Sequence, residues 1–205
     1  MQQSLALVEF SGAAAGIKAV DQLLKMSPVA MLRCGTVHPG RYLALVGGSV
    51  ASTAEAHALA VDVAHREGAL VDEICLPDPH PHLTAAMQGA RRNPSGESLG
   101  VMELGTSPGL LRAVDAMLKM VPVELVEVRL ADDLGGRGLA LVSGCLPDVQ
   151  EALDVARHRR GPVAEWLGGS LLPRLDDTLR DVLSTGTRFS DCRNWEPVGA
   201  EKVED

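Results

Sequence analysis

Two rhythms of apolar and polar residues run along this chain, and they come in the same order twice. The first apolar run, "LALVEF" (5–10), has the length of a strand. Behind it Ile17, Val20 and Leu24 fall at i, i+3 and i+7, which predicts an amphipathic helix with that stripe turned inward. Pro28 ends the helix because proline cannot supply the next backbone donor. "VAMLRCGTV" (29–37) then resumes as a strand, and a Pro-Gly turn leads into the strand Leu43-Ala44-Leu45-Val46, which Gly48 closes. "STAEAHALAVDVAHREG" (52–68) predicts a second helix, whose small side chains suit close packing on a sheet and whose stop is Gly68. "ALVDEICL" (69–76) is the last strand of this series, and a short helix follows it.

The second half repeats that order. Glu9 aligns with Glu103, Ala19-Val20-Asp21 with Ala113-Val114-Asp115, Leu24-Lys25-Met26 with Leu118-Lys119-Met120 and Pro28-Val29 with Pro122-Val123, at an offset of about 94 residues. Past that point the offset grows by two: Arg41 aligns with Arg137, Leu43–Val46 with Leu139–Val142 and Gly48 with Gly144. The two extra residues belong to the loop of the second copy. The stripe recurs as Leu111, Val114 and Leu118, the later helix as "DVQEALDVARHRRG" (148–161) with Gly161 at its stop, and the last strand as "PVAEWLGGSLL" (162–172).

Each copy therefore reads βαββαβ, an α+β unit of ferredoxin-like kind in the wider α/β class, present twice in tandem. The expected boundaries are 1–92 for the first unit, 93–184 for the second and 185–205 for a C-terminal tail, with the polar linker "GARRNPSGES" (89–98) between the units. The tail is expected either to be disordered or to be pinned to the surface by Phe189 and Trp195.

A formal net charge of -8 gives a negative field that disfavours nucleic acid and anionic membranes as partners. With aromatic residues at 2%, there is no set of rings on which bases could stack. Cys34, Cys75, Cys145 and Cys192 lie too far apart for a zinc knuckle or a disulfide framework, so a reducing cytoplasm is expected. The chain opens without a basic signal region, and no apolar run reaches the roughly 18–20 residues of a membrane span. No phosphate-binding or dinucleotide fingerprint and no nucleophile–base grouping stands out, so an enzyme is not expected, nor a cofactor.

Four motifs, each present in both halves, resemble the tandem-domain shell proteins of bacterial microcompartments in unpermuted order. They are "ALVEF" and "GVMEL", "AVDQLLKMSPV" and "AVDAMLKMVPV", "HPGRYLALVGG" and "GGRGLALVSG", and "CLPDPHPHL" and "LLPRLDDTL". The resemblance implies a pseudohexameric homotrimer, a flat six-domain tile that meets other shell proteins at its edges and admits small metabolites through a central pore. Lys25 and Lys119 match the lysine of the family's tile edge, and Arg174 matches the arginine of its edge motif. Asp78 stands where the first copy should have that arginine, which sets the first half's edge apart.

By the same resemblance the turn before the Leu-Ala-Leu-Val strand lines the pore. It would be His38-Pro39-Gly40 in one half and Leu134-Gly135-Gly136 in the other, with Asp132 and Asp133 just ahead of the latter. If Asp132 and Asp133 face the lumen, three copies of the pair would form an acidic ring that hinders anions; the other reading is that the pair simply tops a strand in solvent. Three copies of His38 would share one axis, and imidazole suits zinc or nickel. A metal- or redox-carrying shell trimer with its site at His38 is therefore the alternative to a plain metabolite pore. A thiolate-held cluster is not expected there, because the nearest cysteine, Cys34, lies back in the strand. His57, His65, His80 and His82 are read as structural. A nucleotide-binding signalling trimer of similar units is a third possibility.

Overall fold

The computed structural model describes residues 4–195, 197 and 199. The first half runs β1 (Ser4–Phe10), α1 (Ala13–Met26), β2 (Met31–Val37), β3 (Arg41–Gly48), α2 (Val50–Arg66), β4 (Leu70–Leu76) and α3 (Pro81–Met87). The second runs β5 (Ser98–Leu104), α4 (Ser107–Met120), β6 (Glu124–Leu130), β7 (Gly138–Gly144), α5 (Leu146–Arg159), β8 (Trp166–Leu172) and α6 (Asp177–Thr185), followed by a single 3-10 turn at Phe189–Asp191. Each half is a four-stranded antiparallel sheet, in the orders β2-β3-β1-β4 and β6-β7-β5-β8. This is the βαββαβ order read from the repeat. Gly68 and Gly161 take positive φ (60° and 87°) just beyond α2 and α5, the left-handed conformation that ends a helix without a Cβ penalty.

Register accounts for the shift in the repeat. Thr36 faces Tyr42 across the first loop and Leu130 faces Gly138 across the second, so residues 37–41 are matched by 131–137, two more. One packing detail is exchanged between the copies. In the first, Gly16 on α1 lies under Tyr42 on β3, so close that a Cβ on Gly16 would fall 2.2 Å from the ring. In the second, the aligned positions are Leu110 and Gly138, and a Cβ on Gly138 would fall 2.8 Å from Leu110. Large and small residues have swapped sides while the helix-to-sheet spacing is kept.

The halves differ most in what covers them. Gly16, Ala19, Val20 and Leu23 face the core in α1, but Ile17 and Leu24 are 57% and 51% exposed. Their counterparts Leu111 and Leu118 are 1% and 7% exposed, because α4 lies between its own sheet and β4 of the first half. The stripe expected to face inward on both helices is buried whole only on α4, against the first half; on α1 Val20 reaches the core, while Ile17 and Leu24 are left bare. Leu7, Ile74 and Leu83 of the first half share one core with Leu111, Met117 and Leu118. Among the described residues no helix is long and apolar enough to cross a membrane.

Candidate functional site at the junction of the halves

The two loops expected to act together are neighbours. Gly40 donates its N–H to the carbonyl of Val37 (2.9 Å) to close the first turn, with φ of 98°. The second loop turns through Ala131, Asp133, Gly135 and Gly136, all at positive φ. Pro39 packs on Gly136 so closely that a Cβ there would fall 3.0 Å from Pro39 Cδ. His38, Pro39, Gly40, Asp133 and Gly135 are exposed, Leu134 is half-buried and Gly136 is buried.

Arg41 ties these loops to the sheets. Its Nη1 pairs with Glu9 Oε1 (2.5 Å) and donates to the carbonyls of Gly105 (3.1 Å) and Gly136 (3.3 Å). Glu9 is buried, and its Oε2 accepts the N–H of Ser107 (2.9 Å) at the start of α4. Burial pushes the Glu9 carboxyl above its ordinary value, although the Ser107 N–H and the Arg41 guanidinium both pull it down. Beside this contact Thr106 caps α4 by accepting from the Gly109 N–H (3.2 Å) and donates its hydroxyl to Asp72 Oδ2 (2.5 Å). In the sequence Arg41 and Glu9 marked only the repeat. Their joint role needed the fold, because the groups they hold lie far along the chain.

The second copy keeps the same residues without the same partners. Arg137 Nη1 is 3.7 Å from Glu103 Oε2, and Glu103 is half-exposed. The N-cap of α1 is Gly12, which offers no side-chain hydrogen bond.

At the edge positions, Lys25 is exposed and, among the described residues, paired only with Asp21 Oδ2 (2.6 Å) one turn back. Lys119 is engaged inside the chain: it donates to Asp115 Oδ2 (2.7 Å) and to the carbonyl of Asp78 (2.5 Å), while the other Asp115 oxygen accepts the His80 N–H (2.7 Å). Asp78 and Lys119, one from each half, thus meet at the junction. Arg174 is exposed and makes no hydrogen bond or ion pair among the described residues.

The remaining side chains are placed as follows. Asp132 and Asp133 both face Arg188 of the tail, at 3.9 Å and 3.0 Å. Arg129 adds a second strut, donating to Thr187 Oγ1 (3.1 Å). The tail is therefore held by charge and hydrogen bonds, and the expected Phe189 anchor is overturned: that ring is 95% exposed, because the turn at 189–191 directs it away from the body. Trp195 stacks under the Arg193 guanidinium (4.3 Å), and the tail's end, from 200 on, lies outside the described residues. His57 bonds Glu73 Oε2 (2.7 Å), and His80 and His82 sit edge to face. Among the described residues no three His, Cys, Asp or Glu side chains of one chain converge as metal ligands.

Residues 4–79 and 98–174 each match the BMC domain. The bacterial microcompartment shell protein PduT of Citrobacter freundii is 29% identical over 179 residues, covering 87% of this chain and 96% of that protein. The carboxysome assembly protein CcmO of Synechocystis is 28% identical over 200 residues, covering 92% of this chain and 67% of that protein. Among solved structures, a microcompartments protein from Desulfitobacterium hafniense superposes with a TM-score of 0.74 at 27% identity, over 88% of this chain and 99% of that one. With two domain matches in tandem, each on one βαββαβ half, the chain belongs to the BMC-domain family.

Proposed function

We propose that three copies of this chain close into a ring of six domains, a structural tile in the shell of a bacterial microcompartment in the cytoplasm. The observation that carries the reading is the unequal cover of the repeat. Within one chain α4 lies on β4, with its stripe buried and its N-terminus capped by Thr106 and Glu9. The matching surfaces at the chain's two ends, the α1 stripe with Ile17 and Leu24 and the open strand β8, are uncovered. An apolar face on one end and its complement on the other is a heterologous contact, and such contacts close into a ring when the rotation allows. If the second junction copies the first, Glu103 meets the N-terminus of α1 on the next protomer. Lys25 then reaches the carbonyl of the next protomer's Arg174 as Lys119 reaches that of Asp78.

Such a ring gathers three His38-Pro39-Gly40 loops and three Asp133–Gly136 loops around one axis, because Pro39 and Gly136 already touch in each chain. The opening they surround is the path we assign to small metabolites. Arg188 beside Asp132 and Asp133 offsets the acidic ring that the sequence alone implied. The reading includes no catalytic role, and the relatives named as shell or carboxysome assembly proteins support it.

Native mass spectrometry should find three chains per particle, and negative-stain microscopy of concentrated protein should find hexagonal sheets or tubes. Arg174→Glu, which leaves the Arg174 carbonyl in place for Lys25, should abolish the sheets while three chains per particle remain, whereas Lys25→Glu should also loosen the ring. A particle that stays monomeric at every concentration would overturn the reading. Lys119 is a poor choice for that test, because reversing it breaks the contact inside the chain.

A further inference from the structure

A cavity of about 330 Å3 lies where β2 of the first half faces β6 of the second, with the end of α3 and the tail at its rim. That volume is within the roughly 300–1,000 Å3 range of small-molecule sites. Leu7, Leu43 and Leu45 line it with apolar surface, and Arg33, Arg129 and Arg188 supply its charge. Asp132 is the one acidic residue of the lining.

The three cations are not equally satisfied. Arg188 faces Asp133 and Asp132. Arg129 directs its terminal nitrogens to neutral acceptors, Thr187 Oγ1 (3.1 Å) and the Asp132 carbonyl (2.9 Å), and its Nε is buried with no partner among the described residues. Arg33 has no hydrogen-bond or ion-pair partner among the described residues. Arg33 is exposed and Arg129 half-buried, so these are two guanidinium groups without carboxylates beside an apolar wall, free to pair with an anion that enters the cavity. Guanidinium groups suit a planar carboxylate, and the leucines suit an alkyl chain.

We infer that this cavity binds a small organic anion, a carboxylate carrying a short apolar chain. The inference stands apart from the ring, since every group named belongs to one chain. Its walls include Thr36 and Val37, directly before His38, and Leu130, shortly before the second loop, so an occupant would sit against the stems of both loops.

Isothermal titration calorimetry of the full chain with acetate, butyrate, hexanoate and inorganic phosphate tests it. Saturable binding of one carboxylate per chain is expected, tightening from acetate to hexanoate and weakening as salt is added. Arg33→Gln should weaken hexanoate at least ten-fold without altering the melting curve, since Arg33 holds nothing else in place. Arg129→Gln should do the same at some cost to the tail. Three outcomes overturn the assignment: no saturable carboxylate binding, affinity unchanged in Arg33→Gln, or phosphate bound while the carboxylates are not. Sedimentation of the same samples reports the oligomeric state separately, so failure of the site and failure of the ring are distinguishable.

Discussion

Replacing Ile17 and Leu24 together by serine tests the ring at the stripe α1 leaves bare. In the second copy the same positions, Leu111 and Leu118, are 1% and 7% exposed; in the first they are 57% and 51% exposed. If the junction between protomers repeats the one inside the chain, about half of each side chain passes from water to protein on assembly. Full burial of such a side chain is worth about 1.5–3 kcal/mol, so half of it contributes about 1 kcal/mol per residue and about 2 kcal/mol per junction. Three junctions close a ring, so the double variant loses about 6 kcal/mol, or ~10⁴-fold in the trimer dissociation constant. Because that constant scales with the square of concentration at the midpoint, the transition should move up about 100-fold in protein concentration. Sedimentation velocity over a dilution series reads the shift directly. The monomer should melt unchanged, whereas Leu111→Ser, which strikes the buried counterpart, should cost the single chain about 2–5 kcal/mol. An unmoved dissociation midpoint in Ile17→Ser/Leu24→Ser would refute the equivalence of the two junctions.

The other expectations are narrower. Glu103→Ala should leave the chain's melting temperature in place but weaken each junction by about 1 kcal/mol, the worth of a carboxylate at a helix N-terminus, visible as a higher dissociation midpoint. Gly16→Leu should clash with Tyr42 and Tyr42→Gly should leave a void, each destabilising; made together they reproduce the Leu110/Gly138 pair, and a thermodynamic cycle should return about 1–3 kcal/mol of favourable coupling. Additive losses would show that the exchange between the copies is incidental. Burial raises the Glu9 carboxyl, so the folded chain holds that proton more tightly than the unfolded one, and stability falls as pH climbs from the ordinary 4.5 through the raised value. Wild type should therefore lose more stability than Glu9→Gln as pH rises above 4.5 in urea melts; a smaller loss in wild type would contradict the burial of this group.

The order of elements was legible because the periodicities were written twice, and the two extra residues were assigned to the loop because Leu-Ala-Leu-Val returned intact after it. Cover was not legible. Asp21 and Asp115 stand in the same repeated words, yet Asp115 is buried between His80 and Lys119 while Asp21 lies in solvent. Local pattern reports which face of a helix is apolar, not what lies over it, and here the difference comes from connectivity: only α4 follows a sheet of its own chain onto which it can dock. The same limit hid Arg41 and Arg188, whose partners are separated from them by long stretches of sequence. Hydrophobicity alone offers Phe189 and Trp195 as anchors for a tail that could equally be disordered, and the ion pairs of Arg188 next to Phe189 supply the attachment instead.

Fusing two units into one chain changes what each junction is free to become. In a ring of identical single domains every substitution appears at all six contacts, so a side chain that suits one must suit all of them. Here the intrachain junction carries Asp78, Lys119 and Glu9 in closed contacts, while the outer surfaces carry Arg174, Lys25 and Glu103 in open ones. The loops have parted in the same way, His38-Pro39-Gly40 from Leu134-Gly135-Gly136, and so have the linings of the clefts beside them: Arg33 on β2 occupies the register position that Glu127 holds on β6, each opposite a leucine of the Leu-Ala-Leu-Val strand. Glu127 is already matched by Arg91 (3.1 Å), whereas Arg33 is unmatched among the described residues. If three chains close as proposed, charge left open in one copy and closed in the other would confine anion binding to one kind of cleft, three per ring, and a stoichiometry of six would contradict that division.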